Sequence, residues 1–134
     1  MERLKVLIVD DNEIFLQTMV QVLSNNPTVE VVWCVKSGEA ALELARSMKP
    51  DLVLMDIKMP GMNGIEATRR LKATPDGPHV AIVTGHGDPA NRAAAMEAGA
   101  DDFIDKAKLA IVLGRLISDV SKERLDQGNV QGHA

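Results

Sequence analysis

Residues 51–64 read DLVLMDIKMPGMNG, and this stretch decides the fold. Its apolar run, Leu52–Met55, has the length of a buried strand and ends on a lone carboxylate, Asp56. A loop containing Pro60 follows, and a segment of helical period begins at Gly64. A carboxylate next to a buried strand costs free energy unless something uses it. The stretch therefore predicts a strand, a loop that carries a functional carboxylate, and a helix.

The same alternation of strand-like and helix-like segments runs along the rest of the chain. The predicted strands are Leu4–Val9, Val29–Val35, Asp51–Met55, His79–Thr84 and Asp102–Asp105. The predicted helices are 12–25, 38–49, 64–73, 89–98 and 107–125, the last with Ile111, Leu113, Leu116, Ile117 and Val120 as its apolar positions. Strands this uniformly apolar are buried on both faces, which predicts a parallel sheet between two layers of helices. A flavodoxin-like (βα)5 α/β fold, with a doubly wound five-stranded sheet of order 2-1-3-4-5, fits this pattern.

Length and pattern together predict a single domain. The chain has 134 residues, enough for one hydrophobic core, and shows no internal repeat. We expect the domain to span residues 1–125. The segment 126–134 has no periodicity, so we expect it to be a mobile tail and the start of a linker if an output domain follows.

Composition excludes several classes of function. The net charge of −4 argues against nucleic-acid binding by this segment, and an aromatic content of 2% leaves no platform for stacking bases. No apolar run is long enough to span a membrane, and the first residues do not resemble a signal peptide. The single cysteine, Cys34, cannot form an internal disulfide and is expected in the core. These features predict a cytoplasmic protein that is not membrane-bound.

Polar residues follow several of the predicted strands where each strand ends. They are Asp10, Asp11, Asp56, Thr84 and Lys106. The carboxyl ends of parallel strands meet at one edge of a sheet, so we expect these side chains to lie together. Clustered carboxylates repel one another unless a cation is present, and Mg²⁺ suits such oxygen ligands.

This arrangement predicts phosphoryl chemistry at the sheet edge. Asp56 would be the nucleophile that accepts a phosphoryl group as an acyl phosphate. Lys106 and the metal ion would neutralise charge on the phosphoryl oxygens, and Thr84 would donate a hydrogen bond to one of them. Each residue alone has an ordinary alternative role: Asp10 or Asp11 as a helix cap, Thr84 as a strand residue, Lys106 as a solvated cation. Their joint placement favours a site.

Four motifs in this order and spacing resemble the receiver domain of two-component response regulators, which is CheY-like. They are VDD at 9–11, LMDIKMPGMNG at 54–64, VTGH at 83–86 and GADDFIDK at 99–106. The resemblance covers 3–120, and the second motif is highly specific. One departure is Ala107, because the family usually has proline after the lysine; we expect a trans peptide bond here.

The resemblance implies a role for each site residue. Asp56 is implied to be the phosphoryl acceptor, and Asp10 and Asp11 the acidic pair that binds Mg²⁺, with Asp11 the more direct ligand. Asp56 itself and the backbone carbonyl of Lys58 would complete the metal ligands. Lys106 would bind the phosphoryl group.

The resemblance also implies a switch and its partners. Thr84 would supply the switch hydroxyl, and Phe103 the aromatic ring that changes rotamer with it. The phosphodonor would be a phosphohistidine on a sensor histidine kinase or phosphotransfer protein, or a small acyl phosphate. Such a domain is not an enzyme beyond its own phosphoryl transfer and autodephosphorylation.

The output surface implied by the resemblance is built by helix four, strand five and helix five. It would include Asn91, Arg92, Met96, Phe103 and Arg115, and it is a candidate surface for homodimers. The expected output is transcription regulation through a DNA-binding domain outside this chain. A stand-alone receiver that acts as a phosphorelay or protein-binding switch is the alternative, and a phosphorylation-independent binding module is a further one.

Two side chains near the site are candidates for modulating its chemistry. Lys58, two residues after Asp56, could compete with the metal or contact the phosphoryl group, or it could simply be solvated. His86, two residues after Thr84, could gate the access of water. Lys58 also excludes a haloacid-dehalogenase-like phosphatase, which needs a second aspartate at that position.

Overall fold

The structure, a computed structural model, describes residues 3–85 and 87–132, with side chains except those of 31, 32 and 125–132. The strands are β1 Leu4–Val9, β2 Val29–Val35, β3 Leu52–Met55, β4 His79–Thr84 and β5 Asp102–Asp105. The helices are α1 Glu13–Ser24, α2 Gly38–Met48, α3 Gly64–Lys72, α4 Pro89–Glu97 and α5 Leu109–Gly132, the last preceded by a 3₁₀ turn, Lys106–Lys108. The predicted alternation of strands and helices is confirmed.

The strands form one parallel sheet in the order β2-β1-β3-β4-β5, as predicted. Strand β1 lies between β2 and β3, and Val9 pairs with both Val35 and Met55. Thr84 at the end of β4 pairs with Asp105 at the end of β5. The carboxyl ends of the strands are therefore nearly level, and the residue after each strand emerges at the same edge of the sheet.

Helices cover both faces of the sheet because the side chains of each strand alternate between two cores. Val6 and Ile8 of β1 join the core beneath α1 and α5. Leu7 and Val9 join the core beneath α2, α3 and α4. This alternation explains why β3 is apolar at every position, and β1 and β4 at most of theirs, rather than at every second one. None of the described helices is both long enough and apolar enough to cross a lipid bilayer.

Short polar side chains fix where four of the helices begin. The N-cap residues are Asn12, Ser37, Asn63 and Asp88, and each accepts a hydrogen bond from the N–H three residues further on. The N-cap of α1 follows directly on the acidic residues after β1. These caps set the points at which the chain leaves the functional edge of the sheet.

Several apolar positions that the sequence pattern predicts to be buried are exposed, and Cys34 and Ile111 are two of them. Cys34 lies on β2, which pairs only with β1 at the edge of the described sheet, and it lines an open groove between α1 and β2. Ile111 is 83% exposed, because it lies two residues after the buried Leu109 and so faces the opposite side of α5. The other apolar positions predicted for this helix, among them Leu113 and Ile117, are buried as expected.

Helix α5 is longer than its sequence pattern indicates. The predicted end near Leu125 is wrong, since the helix continues to Gly132. The apolar stripe that packs on the sheet ends at Val120, so periodicity gives no signal for the last turns. Mobility of the segment 126–134 remains a prediction.

Candidate functional site

Three carboxylates meet at the carboxyl edge of the sheet, as the sequence predicts. Asp10 and Asp11 follow β1, and Asp56 follows the neighbouring strand β3. One carboxylate oxygen from each lies within 4.8 Å of the others. Asp10 and Asp56 are buried, with 1% and 8% of their surfaces exposed, whereas Asp11 is exposed. The cluster therefore has a buried floor and an open side through which an ion or a small molecule can enter.

The electrostatics of Asp56 reflect this crowding. Burial raises the pKa of Asp56, and the negative charges of Asp10 and Asp11 raise it further. The positive charge of Lys106 and a hydrogen bond from the N–H of Ile57 oppose that rise. Ionisation of Asp56 thus costs free energy in the folded domain, and an added cation would reduce that cost.

Lys106 lies beside this cluster at the start of the 3₁₀ turn. Its Nζ atom is 2.6 Å from Asp10 Oδ2 and 4.0 Å from Asp56 Oδ2. The contact with Asp10 is an ion pair by distance rather than an aligned hydrogen bond. Among the described residues, no donor meets this buried Asp10 oxygen with hydrogen-bond geometry. The positive charge of Lys106 balances the charge of Asp10, but the lone pairs of Asp10 Oδ2 remain available to another ligand.

The donor set fits a hard divalent cation. Three carboxylates supply oxygen ligands, one of them with a buried oxygen that has no aligned donor among the described residues. Such an oxygen is expensive to bury unless a ligand satisfies it. The acidic pocket formed by Asp10, Asp11 and Asp56 could therefore bind a metal ion.

The loop after β3 holds the backbone of Asp56 close to helix α3. The N–H of Gly64 donates a hydrogen bond to the carbonyl oxygen of Ile57. The side chain of Lys58 is exposed, so it does not take part in the buried floor of the site. Its predicted roles, as a metal ligand through its carbonyl and as a modulating side chain, remain predictions.

Thr84 and Phe103 lie on neighbouring strands beside the acidic cluster. Thr84 is fully buried at the end of β4. Phe103 on β5 pairs with Ile82 and is half-buried against the core beneath α2, α3 and α4. The guanidinium of Arg92 on α4 lies over the Phe103 ring, 5.7 Å from its centroid. Phe103 thus contacts α4 from β5, the strand that lies next to β4.

A groove of about 510 Å³ runs between α4, β5 and α5. Three of the five residues predicted for the output surface line it, namely Arg92, Phe103 and Arg115. Met96 on α4 is 44% exposed, and Asn91 lies in the first turn of the same helix. His86, predicted to modulate the site, lies outside the described residues, so that role remains a prediction.

The turn from β5 into α5 contains a hydrogen bond at Ala107, the position where the resemblance implies a proline. The backbone N–H of Ala107 donates to Asp105 Oδ1 at 2.9 Å, which caps the 3₁₀ turn. A proline at position 107 has no N–H and could not make this bond. The substitution of alanine for the usual proline is thus accompanied by a local hydrogen bond that starts the turn.

Sequence reasoning missed Phe15, whose ring lies beside Lys106. The Lys106 Nζ atom is 4.4 Å from the ring centroid. The sequence did indicate that Phe15 could lie near the site, because the chain has only two phenylalanines and Phe15 lies about one helical turn after the acidic pair. An aromatic residue so close in sequence to a predicted site could have been assigned to it.

Comparisons with known proteins agree with this geometry. The family model of the response regulator receiver domain matches residues 6–114. The chain is 30% identical to a protein-glutamate methylesterase/protein-glutamine glutaminase of Methanococcus maripaludis, over 96% of this chain and 42% of that protein. It is 40% identical to the response regulator GacA of Pseudomonas aeruginosa, over 77% of this chain and 48% of GacA. The chain spans less than half the length of these two relatives.

A solved structure has the same architecture. The CheY-like response regulator receiver domain protein of Methanospirillum hungatei superposes with a TM-score of 0.80 at 27% identity, over 91% of this chain and 99% of that one. The resemblance predicted from the four motifs is confirmed. With its family match, its parallel sheet and its carboxylates at the ends of β1 and β3, the chain belongs to the response regulator receiver domain family of two-component systems.

Proposed function

We propose that this domain is a phosphorylation-activated signalling switch that accepts a phosphoryl group on Asp56. The observation that carries the proposal is the convergence of three carboxylates and Lys106 at one sheet edge. Asp56 directly follows a fully buried, apolar strand, so its carboxylate is held in place beside the other groups. The open side of the cluster, next to the exposed Asp11, gives a phosphodonor access.

The metal we propose for the acidic pocket is Mg²⁺. Asp10, Asp11, Asp56 and the backbone carbonyl of Lys58 would hold it, which suits a cation that binds few carboxylates and keeps waters. When bound, it supplies positive charge that offsets carboxylate repulsion and the charge on the phosphoryl oxygens.

The chain's own residues then carry the transfer. A carboxylate oxygen of Asp56 attacks phosphorus, and a new P–O bond forms while the donor's P–N or P–O bond breaks. The bond's electron pair leaves with the imidazole of a phosphohistidine or with the carboxylate of an acyl phosphate. Lys106 moves from Asp10 toward the phosphoryl oxygens, and the Thr84 hydroxyl donates a hydrogen bond to one of them.

We propose that the signal leaves through the surface of α4, β5 and α5. The Thr84 hydroxyl would move toward the phosphoryl group, and the ring of Phe103 would change rotamer when Thr84 moves. A change at Phe103 would reach Arg92 on α4, which contacts the ring. Phosphorylation would thus shift a two-state equilibrium of the groove lined by Arg92, Phe103 and Arg115.

The partners follow from this role. The donor would be a sensor histidine kinase or a phosphotransfer protein in the cytoplasm, and the groove surface could support a homodimer. Because the chain spans less than half of its curated relatives, an output domain, most simply one that binds DNA, would belong to a longer protein. A stand-alone receiver in a phosphorelay is the alternative, and the length of the complete gene distinguishes the two.

The test is incubation of the domain with acetyl phosphate and Mg²⁺, followed by intact mass measurement. We expect wild type to gain the mass of one phosphoryl group and Asp56→Ala to gain none. Asp76→Ala, which removes an exposed carboxylate in the loop before β4, should behave as wild type. If wild type gains no mass under conditions that modify a known receiver, the domain is instead a phosphorylation-independent binding module.

A further inference from the structure

We propose that Phe15 is a positioning residue, whose ring holds the Lys106 ammonium at the phosphoryl site. The inference rests on the proposed function, since it concerns the group that would bind the phosphoryl oxygens. It begins from one contact: the Lys106 Nζ atom lies 4.4 Å from the centroid of the Phe15 ring. A cation at this distance from an aromatic face is attracted by the ring's quadrupole.

Phe15 belongs to a closed series of contacts around the site. The N–H of Asn12 donates to Asp10 Oδ1 at 2.8 Å, and Asn12 Oδ1 accepts from the N–H of Phe15 at 3.0 Å. The Phe15 ring contacts Lys106, and Lys106 returns to the other oxygen of Asp10 at 2.6 Å. The two oxygens of Asp10 therefore connect to the same helix start, one through the backbone and one through the lysine.

The ring packs against the core, whereas the lysine that it contacts is partly exposed. Phe15 is half-buried and packs against the core beneath α1 and α5, and its backbone lies in the capped first turn of α1. The side chain of Lys106 is 26% exposed and extends from a 3₁₀ turn. The packed ring thus limits where the ammonium can go.

The chemistry of an aromatic face suits a lysine that must move. Lys106 is closer to Asp10 than to Asp56, yet the proposed transfer needs its charge on a phosphoryl group at Asp56. A carboxylate in place of the ring would compete for the ammonium with a strong directed bond. An aromatic face attracts the ammonium without such a bond, so the lysine can move from Asp10 to the phosphoryl oxygens while it stays at the site.

A direct test uses nuclear magnetic resonance of the domain without metal or donor. Protons next to Nζ on Lys106, when they lie over a ring, resonate upfield of those of a solvated lysine. We expect this upfield shift in wild type and in Phe15→Tyr, and its loss in Phe15→Leu, which keeps an apolar side chain but has no aromatic ring. A wild-type Lys106 that resonates like a solvated lysine would overturn the inference, whether or not the domain can be phosphorylated.

A kinetic test asks whether the contact matters for phosphoryl transfer. With acetyl phosphate and saturating Mg²⁺, we expect Phe15→Leu to lower the phosphorylation rate about two- to fivefold, and Phe15→Tyr to retain it. Ile14→Ala, a change to a neighbouring side chain that is 75% exposed, should leave the rate unchanged.

The same substitution in a Lys106→Ala background separates positioning from a general effect on the fold. If Phe15 acts through Lys106, Phe15→Leu should have no further effect once Lys106 is absent. An equal loss in both backgrounds, or an unchanged rate in the single variant, contradicts the inference. A wild type that is never phosphorylated contradicts the proposed function instead, and the spectroscopic result then stands separately.

Discussion

Gly64 packs against the backbone of Asp56 so closely that a Cβ atom on residue 64 would lie 1.8 Å from the Asp56 carbonyl oxygen. The helix that follows the functional loop can therefore begin beside the strand end only if position 64 has no side chain. This contact connects the local packing of α3 to the position of the carboxylate at the centre of the site.

Gly64→Ala should destabilise the domain, because neither the Asp56 backbone nor α3 can move without disturbing the sheet edge. We expect a loss of about 2 kcal/mol or more in the free energy of unfolding, measured by urea denaturation. The matched control is Gly114→Ala on the exposed face of α5, where an added Cβ would have no heavy atom within 4 Å. That change should raise stability by about 0.5–1 kcal/mol, because alanine favours the helix. Equal effects of the two substitutions would refute this account.

The pH dependence of stability should include a term from His79, which lies at the edge of the sheet opposite the acidic cluster. Its Nε2 atom is 2.6 Å from Asp102 Oδ2, and its Nδ1 atom is 3.1 Å from Glu123 Oε2. Burial by itself lowers the pKa of His79, but the hydrogen bonds to these two carboxylates and the charge of nearby Asp101 outweigh it, so the pKa is raised above 6.5.

The sign of the effect follows from this raised pKa. The protonated imidazole stabilises the fold fully below the ordinary histidine pKa, and the contribution is lost as pH rises through the raised folded-state value. We expect the free energy of unfolding of wild type to exceed that of His79→Gln, with the largest difference near pH ~5.5 and the smallest near pH ~9. Urea denaturation across that range measures this difference. A gap between the two proteins that does not change with pH would show that His79 is not held as an imidazolium.

Much of the fold could be predicted because the residues that specify each element lie close together in the sequence. Largely apolar strands, short polar caps and the residues after each strand suffice to place Asp10 and Asp56 at one edge. The contact between Phe15 and Lys106 could not be predicted in this way, because it joins the first turn of α1 to the 3₁₀ turn before α5 and depends on side-chain direction. The exposure of Cys34 depends on which strand lies at the sheet edge, a property of strand order rather than of the local pattern.

Removal of one carboxylate should relieve the repulsion in the acidic cluster. Asp56→Asn is expected to raise the Tm in metal-free buffer, because Asp56 is buried beside Asp10 and both burial and repulsion oppose its charge. Mg²⁺ should raise the Tm of wild type, since a ligand that binds only the folded state stabilises it, and should raise that of the variant much less. Asp76→Asn, on an exposed loop, should match wild type in both buffers. An unchanged Tm on addition of Mg²⁺ to wild type would argue against a metal at this site.

Lys58 offers a test of what an exposed charge beside the site can do. Its side chain is solvated, so its influence should act through its charge rather than through packing. Lys58→Ala should tighten Mg²⁺ binding about twofold, because one positive charge near the cation is removed, and should change the autodephosphorylation rate by a similar factor. Lys122→Ala removes an exposed lysine of α5, remote from the acidic cluster, and serves as the matched control. Both effects should shrink as salt is added. Equal Mg²⁺ affinity and equal phosphoryl lifetime in wild type and Lys58→Ala would show that the Lys58 side chain does not affect the site.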